Sequence, residues 1–123
     1  MFGVGFLQGA LKTKNKAFTN PEDAKSFAQT EAVLQDHPDV ERANKIYRND
    51  LENIPIFLFL ALCYVMLNCW EKGALIYFSA FTFSRILHSI FYFKSIQPAR
   101  SIAFFLGSIA CVAISIHILL KVF

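Results

Sequence analysis

The sequence predicts an all-α integral membrane protein that folds as a bundle of membrane helices. The chain has 123 residues, of which 55% are hydrophobic, and its mean hydropathy of +0.43 is high for a soluble chain of one domain's length. Fourteen phenylalanines cluster in long runs that carry little charge. A soluble helix would carry a polar or charged residue every third or fourth position. Together, these observations exclude a soluble helical domain.

Residues 1–16 are predicted to be the remnant of a first membrane helix. Its apolar part, "MFGVGFLQGAL", reaches only about 16 Å as a helix, roughly half the thickness of the hydrocarbon core. It lacks the basic start and the small-residue cleavage site of a signal peptide. Residues 17–40 are polar and predict a partly ordered cytosolic loop, with Asn20 and Pro21 as a turn or helix-start signal.

Three longer helices are predicted to follow, over residues 41–70, 73–94 and 98–122. Pro38 and Asp39 offer a helix start, and nothing but Pro55 interrupts the helical pattern from there into the apolar run that begins at Ile54. We expect one long helix with a kink near Pro55. The segments "EKG" and "KSIQPAR" predict short turns, and Pro98 suits a first helical position.

The basic residues predict how the helices are oriented in the membrane. Seven of the 12 Lys and Arg residues precede Ile54, the turn after the second helix contains only Lys72, and the turn after the third contains Lys94 and Arg100. The positive-inside rule therefore places the first and third loops in the cytosol, and "EKG" and Lys121 on the far side.

The charged stretch before the apolar run forms one polar helix face. At 100° per residue, Arg42, Lys45, Asn49 and Glu52 fall within an arc of about 80°, and Arg48 lies beside Glu52. Such a face could bind a ligand that carries carboxylates and an ammonium group, because Arg grips a carboxylate with two parallel hydrogen bonds. The alternative is a solvated helix end whose charges pair with one another.

A second polar group interrupts the third helix. Arg85, His88 and Tyr92 share an arc of about 60° in an otherwise apolar segment, so they must face the bundle interior, each other or a ligand. Two interpretations stay open for Arg85, which could support a ligand site or lock two helices by pairing with Glu52 or Asp50. His88 alone fits a satisfied packing histidine, whereas Tyr92 could bond to a ligand.

The start of the last helix is the predicted place for an anion. Arg100 and Ser101 follow Pro98, and a helix N-terminus offers free amides and the positive end of the helix dipole. A thiolate would fit there, although Arg100 could also be an interfacial residue that reaches toward the headgroups. Farther along the helix, Gly107, Cys111 and Ser115 recur every four residues and predict close helix packing.

The sequence shows none of the common catalytic or metal-binding motifs. It has no GxSxG, no Gly-rich phosphate loop and no HExxH, and it carries no nucleic-acid-binding module. The three cysteines have no CxxC spacing and suit reduced packing positions. We therefore expect no metal cofactor and no nucleic-acid partner, and we expect any chemistry to come from a bound co-substrate.

Four segments resemble the MAPEG superfamily, the membrane-associated proteins of eicosanoid and glutathione metabolism. They are "FTNPEDA", "VERANKIYRNDLENIPIFL", "SRILHSIFY" and "QPARSIAFFLG", which match the microsomal glutathione S-transferase branch in order and spacing. The resemblance implies a four-helix membrane subunit of the MAPEG type, here with a truncated first helix. It also implies a homotrimer that binds glutathione between neighbouring subunits near the cytosolic face.

The resemblance also implies a set of site residues. Arg100 stands where the family has an arginine that stabilises the glutathione thiolate, and Ser101 lies beside it. The implied glutathione-binding residues are Lys12, Asn44, Lys45, Tyr47, Arg48, Asn49, Glu52, Arg85, His88 and Tyr92. The family usually has Arg at positions 12 and 45, often Arg at 44, and usually His at 47.

The implied function is a membrane-bound glutathione transferase. It would conjugate the glutathione thiolate to hydrophobic electrophiles dissolved in membrane lipid, and the same thiolate could reduce lipid hydroperoxides. Phe104 replaces a tyrosine typical of the prostaglandin E synthase branch and favours the transferase. The alternatives are a glutathione-dependent isomerase of that other branch and a non-catalytic membrane scaffold. The expected location is the endoplasmic reticulum membrane, with the mitochondrial outer membrane as the alternative, and the active site would face the cytosol.

Overall fold

The computed structural model describes residues 2–16 and 18–123. Met1 and Ala17, at which the predicted first segment (1–16) and loop (17–40) begin, lie outside the described residues. The helices are α1 (Phe2–Asn15), a single turn α2 (Pro21–Asp23) that continues as a π-helical turn (Ala24–Ala28), α3 (Pro38–Met66), α4 (Glu71–Phe93) and α5 (Gln97–Val122). The predicted all-helical membrane class is confirmed, because α3, α4 and α5 are each long and apolar enough to cross a bilayer.

The longest helix, α3, joins the charged stretch to the apolar run. It begins at Pro38, three residues before the predicted start, and ends at Met66, four residues before the predicted end. Pro55 lies inside it, and the helix continues through that residue. Asp39 and Glu41 lie in its first turn, where negative side chains are stabilised by the helix dipole.

The chain divides into two compact units, Met1–Asn49 and Asp50–Phe123, with the division inside α3. In the first unit, the buried apolar residues are Phe18, Ala24, Val40, Ala43 and Ile46. The rings of Phe18 and Phe27 stack at 6.1 Å, and the backbone N–H of Val33 donates to the Phe18 carbonyl. These contacts order part of the polar segment that the sequence predicts as a loop.

The second unit has its own apolar core, in which α4 packs against α5. Its centre consists of Phe57, Tyr64, Phe81, Ala110 and Ile114. The rings of Phe57 and Phe81 stack with their centroids 3.8 Å apart, so α3 and α4 are joined by a direct aromatic contact.

Both turns between the long helices use a left-handed residue to end the preceding helix. After α3, Asn68 has φ of 48°, and the Cys69 N–H donates to the Tyr64 carbonyl at 3.2 Å. After α4, Ser95 has φ of 60°, and the Ile96 N–H donates to the Phe91 carbonyl at 3.0 Å. These are Schellman motifs, which satisfy the last helical carbonyls and reverse the chain within a few residues. The second motif determines where α5, and hence Arg100, begins.

Candidate functional site

The N-terminal end of α5 carries the most distinctive polar arrangement of the second unit. Arg100 lies in the first turn, and its guanidinium carbon is 4.5 Å from the centroid of the Tyr92 ring. The cap residue Ile96 is extended, Pro98 occupies the first turn, and no described side chain caps this helix start. The cation–π contact holds the guanidinium of this first-turn residue over the Tyr92 ring, and the start of a helix favours an anion through its dipole.

Tyr92 connects Arg100 to a chain of aromatic and basic side chains. The Tyr92 and His88 rings are 5.7 Å apart, and the His88 ring is 6.2 Å from that of Phe104. Arg85 lies over the same Phe104 ring at 5.6 Å and over Phe81 at 5.7 Å. The predicted grouping of Arg85, His88 and Tyr92 on one face of α4 therefore corresponds to a continuous series of contacts that reaches Arg100.

Four polar side chains of the second unit are buried, with exposed fractions between 0% and 6%: Arg85 and His88 of this series, and also Asp50 and Ser84. Asp50 interacts electrostatically with both Arg85 and His88. Two acids were possible partners of Arg85 by sequence, and of these Asp50 is buried whereas Glu52 is exposed. A buried carboxylate is strongly favoured beside a buried guanidinium, since either charge alone would be costly in an apolar environment.

A glycine on α5 allows this cluster to pack closely. A Cβ atom at Gly107 would lie 2.6 Å from Ser84 Oγ and 3.4 Å from Arg85 Nη2. Ser84 Oγ in turn donates to the Phe81 carbonyl at 2.7 Å. The small-residue stripe of the sequence thus includes the position at which α5 approaches the arginine of α4.

The first unit contains the remaining predicted site residues, and several of them already have partners there. The Asn44 amide donates to Asp36 Oδ2 at 3.0 Å, and Lys12 Nζ lies 4.0 Å from Asp36 Oδ1. Lys45 pairs with Glu41 at 2.7 Å, one turn before it on α3. Asp36 was not among the predicted site residues, because only the fold brings it to both Lys12 and Asn44.

The other residues of the predicted set lie in different surroundings. Tyr47 lines an open groove of about 520 Å³ together with Gly5, Phe6 and other residues of α1. Arg48 and Glu52 are exposed on α3, whereas Asn49 is half-buried. Ser101 follows Arg100 and is also half-buried. The structure brings Tyr92 and Arg100 together directly, and each of the two units carries part of the predicted set.

Metal ligands are not gathered in the described part of the chain. Residues 2–16 and 18–123 contain no group of three or more His, Cys, Asp or Glu side chains that could hold an ion. The three cysteines, Cys63, Cys69 and Cys111, are free thiols.

Comparison with known proteins gives relatives over almost the whole chain. The sequence profile of the MAPEG family matches residues 1–120. Prostaglandin E synthase of Homo sapiens is 34% identical over 120 residues, which cover 97% of this chain and 78% of that protein. Prostaglandin E synthase of Rattus norvegicus is 36% identical over 123 residues, covering 99% and 80%. Microsomal glutathione S-transferase 1 of Rattus norvegicus is 39% identical over 109 residues, covering 83% and 70%.

With a family profile that covers nearly every residue and relatives above 30% identity, the protein belongs to the MAPEG family.

Proposed function

We propose that this protein is a membrane-bound glutathione transferase. The observation that carries the proposal is the Arg100 guanidinium held over Tyr92 in the first turn of α5. A relative named microsomal glutathione S-transferase 1, 39% identical, supports glutathione as the co-substrate. The second substrates of this protein would be hydrophobic electrophiles that reach the site through the surrounding lipid.

In the proposed reaction, the glutathione thiol loses its proton to water and the thiolate attacks the electrophile. A carbon–sulfur bond forms, and the leaving group departs with the electron pair of the bond that breaks. Arg100 and the first-turn amides of α5 stabilise the negative sulfur, so more of the bound thiol is in its reactive form. Ser101 lies next to Arg100 and would donate a hydrogen bond to the same sulfur. An apolar electrophile then needs mainly proximity and orientation.

The other candidate residues are assigned to holding glutathione in place. We propose that Lys12, Asn44, Lys45, Tyr47, Arg48, Asn49 and Glu52 contact its charged ends, together with Tyr92. Arg85 and His88 are only 6% and 3% exposed, which leaves little surface for a ligand. We therefore assign these two residues to positioning Tyr92 and Arg100.

The proposal extends to assembly and location. We propose that it forms a homotrimer in the endoplasmic reticulum membrane, with its glutathione sites facing the cytosol. The three apolar helices support a membrane location, and the name of the microsomal relative supports the endoplasmic reticulum. The mitochondrial outer membrane is the alternative. In a peroxidase reaction, the same thiolate would attack the outer oxygen of a lipid hydroperoxide and break the O–O bond to release the lipid alcohol. A second glutathione would then reduce the resulting sulfenic acid, giving glutathione disulfide and water.

Replacing Arg100 tests the transferase proposal. In detergent, wild-type protein should show the ultraviolet band of bound glutathione thiolate and should conjugate chlorodinitrobenzene. Arg100→Leu should lower conjugation about 100-fold, because removal of one preorganised charge donor has effects of that order. Lys94→Gln, an exposed cation in the turn before α5, is the matched control and should keep wild-type activity. An unchanged thiolate band in Arg100→Leu would contradict the assigned role.

A prostaglandin E synthase activity is the second candidate. It is favoured by the 34–36% identity to proteins of that name over nearly the whole chain. The same purified protein should be assayed for isomerisation of prostaglandin H with glutathione. Isomerisation without conjugation would replace the transferase proposal, and the absence of both activities would favour a non-catalytic scaffold.

A further inference from the structure

A second polar crevice lies at the other end of the second unit, where the turn after α3 meets the last turns of α5. It has a volume of about 470 Å³ and is lined by Asn68, Cys69, Trp70, His117, Leu120 and Lys121. The Trp70 and His117 rings contact each other at 6.2 Å. None of these residues belongs to the glutathione site proposed above, and the crevice does not depend on that proposal.

The hydrogen bonds around Tyr64 favour one tautomer of His117 in this crevice. The Tyr64 hydroxyl lies 3.1 Å from the Trp70 carbonyl oxygen and 3.1 Å from His117 Nδ1. The tautomer that satisfies both contacts has the Tyr64 hydroxyl donating to the Trp70 carbonyl and His117 Nδ1–H donating to the tyrosine oxygen. His117 Nε2 is then left as a hydrogen-bond acceptor for a ligand.

The crevice therefore offers a cation, an acceptor and an aromatic face within one small volume. Lys121 complements a phosphate, and His117 Nε2 complements an N–H donor. The Trp70 ring, 55% exposed, can lie against an ammonium group. A ligand that satisfies all three carries both a phosphodiester and a primary ammonium group.

The position of the crevice indicates where such a ligand comes from. It lies at the ends of two membrane helices, and Leu120, which lines it, is 75% exposed. Met66, the last residue of α3, is 71% exposed. These apolar side chains offer a surface for acyl chains next to the polar groups. We propose that the crevice binds the headgroup of phosphatidylethanolamine from the adjacent leaflet.

Lipid binding to the whole protein in detergent tests this proposal. Native mass spectrometry would compare phosphatidylethanolamine with phosphatidylcholine, whose ammonium has no N–H to donate. Wild-type protein should prefer phosphatidylethanolamine about tenfold, the effect of a hydrogen bond to a charged group. Equal binding of the two lipids would overturn the proposal. Binding of glycerophosphoethanolamine or inorganic phosphate as tight as that of the lipid would also overturn it, since the site would then serve small anions.

Variants separate a headgroup site from ordinary interfacial anchoring. Lys121→Gln should weaken binding of both lipids about fivefold, since a lysine near a membrane surface contributes on that scale. His117→Phe should remove the preference between the lipids, and His117→Gln, which retains an acceptor, should keep part of it. Lys72→Gln, a lysine at the same end that does not line the crevice, is the matched control. Wild-type preference in folded His117→Phe, or equal losses in Lys72→Gln and Lys121→Gln, would refute the site.

Discussion

Asp50 is a buried acid beside the series of contacts that ends at Arg100, the proposed catalytic arginine. It is 2% exposed and interacts with Arg85 and His88, which contact Phe104 and Tyr92 in turn. Removing its charge would take away a carboxylate that stabilises the Arg85 guanidinium inside a membrane helix bundle. We therefore expect loss of the carboxylate to affect the stability of the protein more than the proposed reaction.

Asp50→Asn should destabilise the protein by about 3–5 kcal/mol, as expected when one partner of a buried ion pair is removed. Thermal unfolding in detergent, followed by helical circular dichroism, measures this loss. Glu71→Gln removes an exposed carboxylate of the same unit and should change stability by less than about 1 kcal/mol. Similar unfolding temperatures for the two variants would show that Asp50 does not compensate Arg85.

Gly107 provides a test of close helix packing. Gly107→Ala places a Cβ 2.6 Å from Ser84 Oγ, so either the Ser84 side chain must leave its rotamer and its bond to Phe81 or the two helices must separate, at an expected loss of about 1–3 kcal/mol. Gly9→Ala is the control, because nothing lies within 4 Å of a Cβ there. The double variant with Ser84→Ala removes the nearest atom and should recover part of the loss. A double variant that is merely the sum of its parts would contradict a direct contact.

The spacing of residues along the sequence predicts which side chains share a helix face, but it does not predict which side chains of another helix contact them. The sequence places Arg85, His88 and Tyr92 together because all three lie on α4 at helical spacing. It leaves Asp50 and Glu52 as equal partners for Arg85, since the choice depends on how α3 faces α4. Likewise, Asp36 reaches Lys12 and Asn44 only through the fold of the first unit.

At the scale of elements, the turn after α4 determines the position of Arg100. Ser95 adopts a left-handed conformation with φ of 60°, which costs a residue with a Cβ about 1 kcal/mol relative to glycine. Ser95→Gly should therefore raise the unfolding temperature and leave glutathione binding unchanged. Ser95→Val should lower it, because a β-branched residue tolerates this conformation poorly. If the valine variant were as stable as the glycine variant, the turn would not be held in this conformation.

The helix ends show which boundaries the sequence predicts and which it does not. The apolar runs indicate three long helices, and Pro38 marks a possible start for α3, where the structure begins that helix. The end of α3 falls at Met66 rather than Trp70 because Asn68 takes the left-handed position of a Schellman motif. Asn is a common residue there, but a lone Asn beside an apolar run is a weak stop signal.

At the scale of the whole molecule, the three long helices expose much of their apolar surface. Only 17–22% of the most apolar window of each helix is buried within the chain. These faces must contact lipid or other subunits. We predict that light scattering, corrected for bound detergent, will give a protein mass of three times the 14.0 kDa chain. A mass of one chain at the concentrations that support activity would contradict the trimer.

The proposed trimer also predicts that two defective subunits can restore one another. If glutathione binds between neighbours, Arg48 of one subunit and Arg100 of the next complete one site. Arg48→Gln and Arg100→Leu should each form weakly active trimers, because either change affects every site. Doubly tagged trimers contain both variants and should recover about one third of the wild-type sites, since one of the three neighbouring pairs in each combines the two intact halves. The measurement is conjugation by co-expressed, doubly tagged trimers, with each variant co-expressed with itself as the control. Mixed trimers that are isolated intact and recover no activity would mean that both residues act within one subunit.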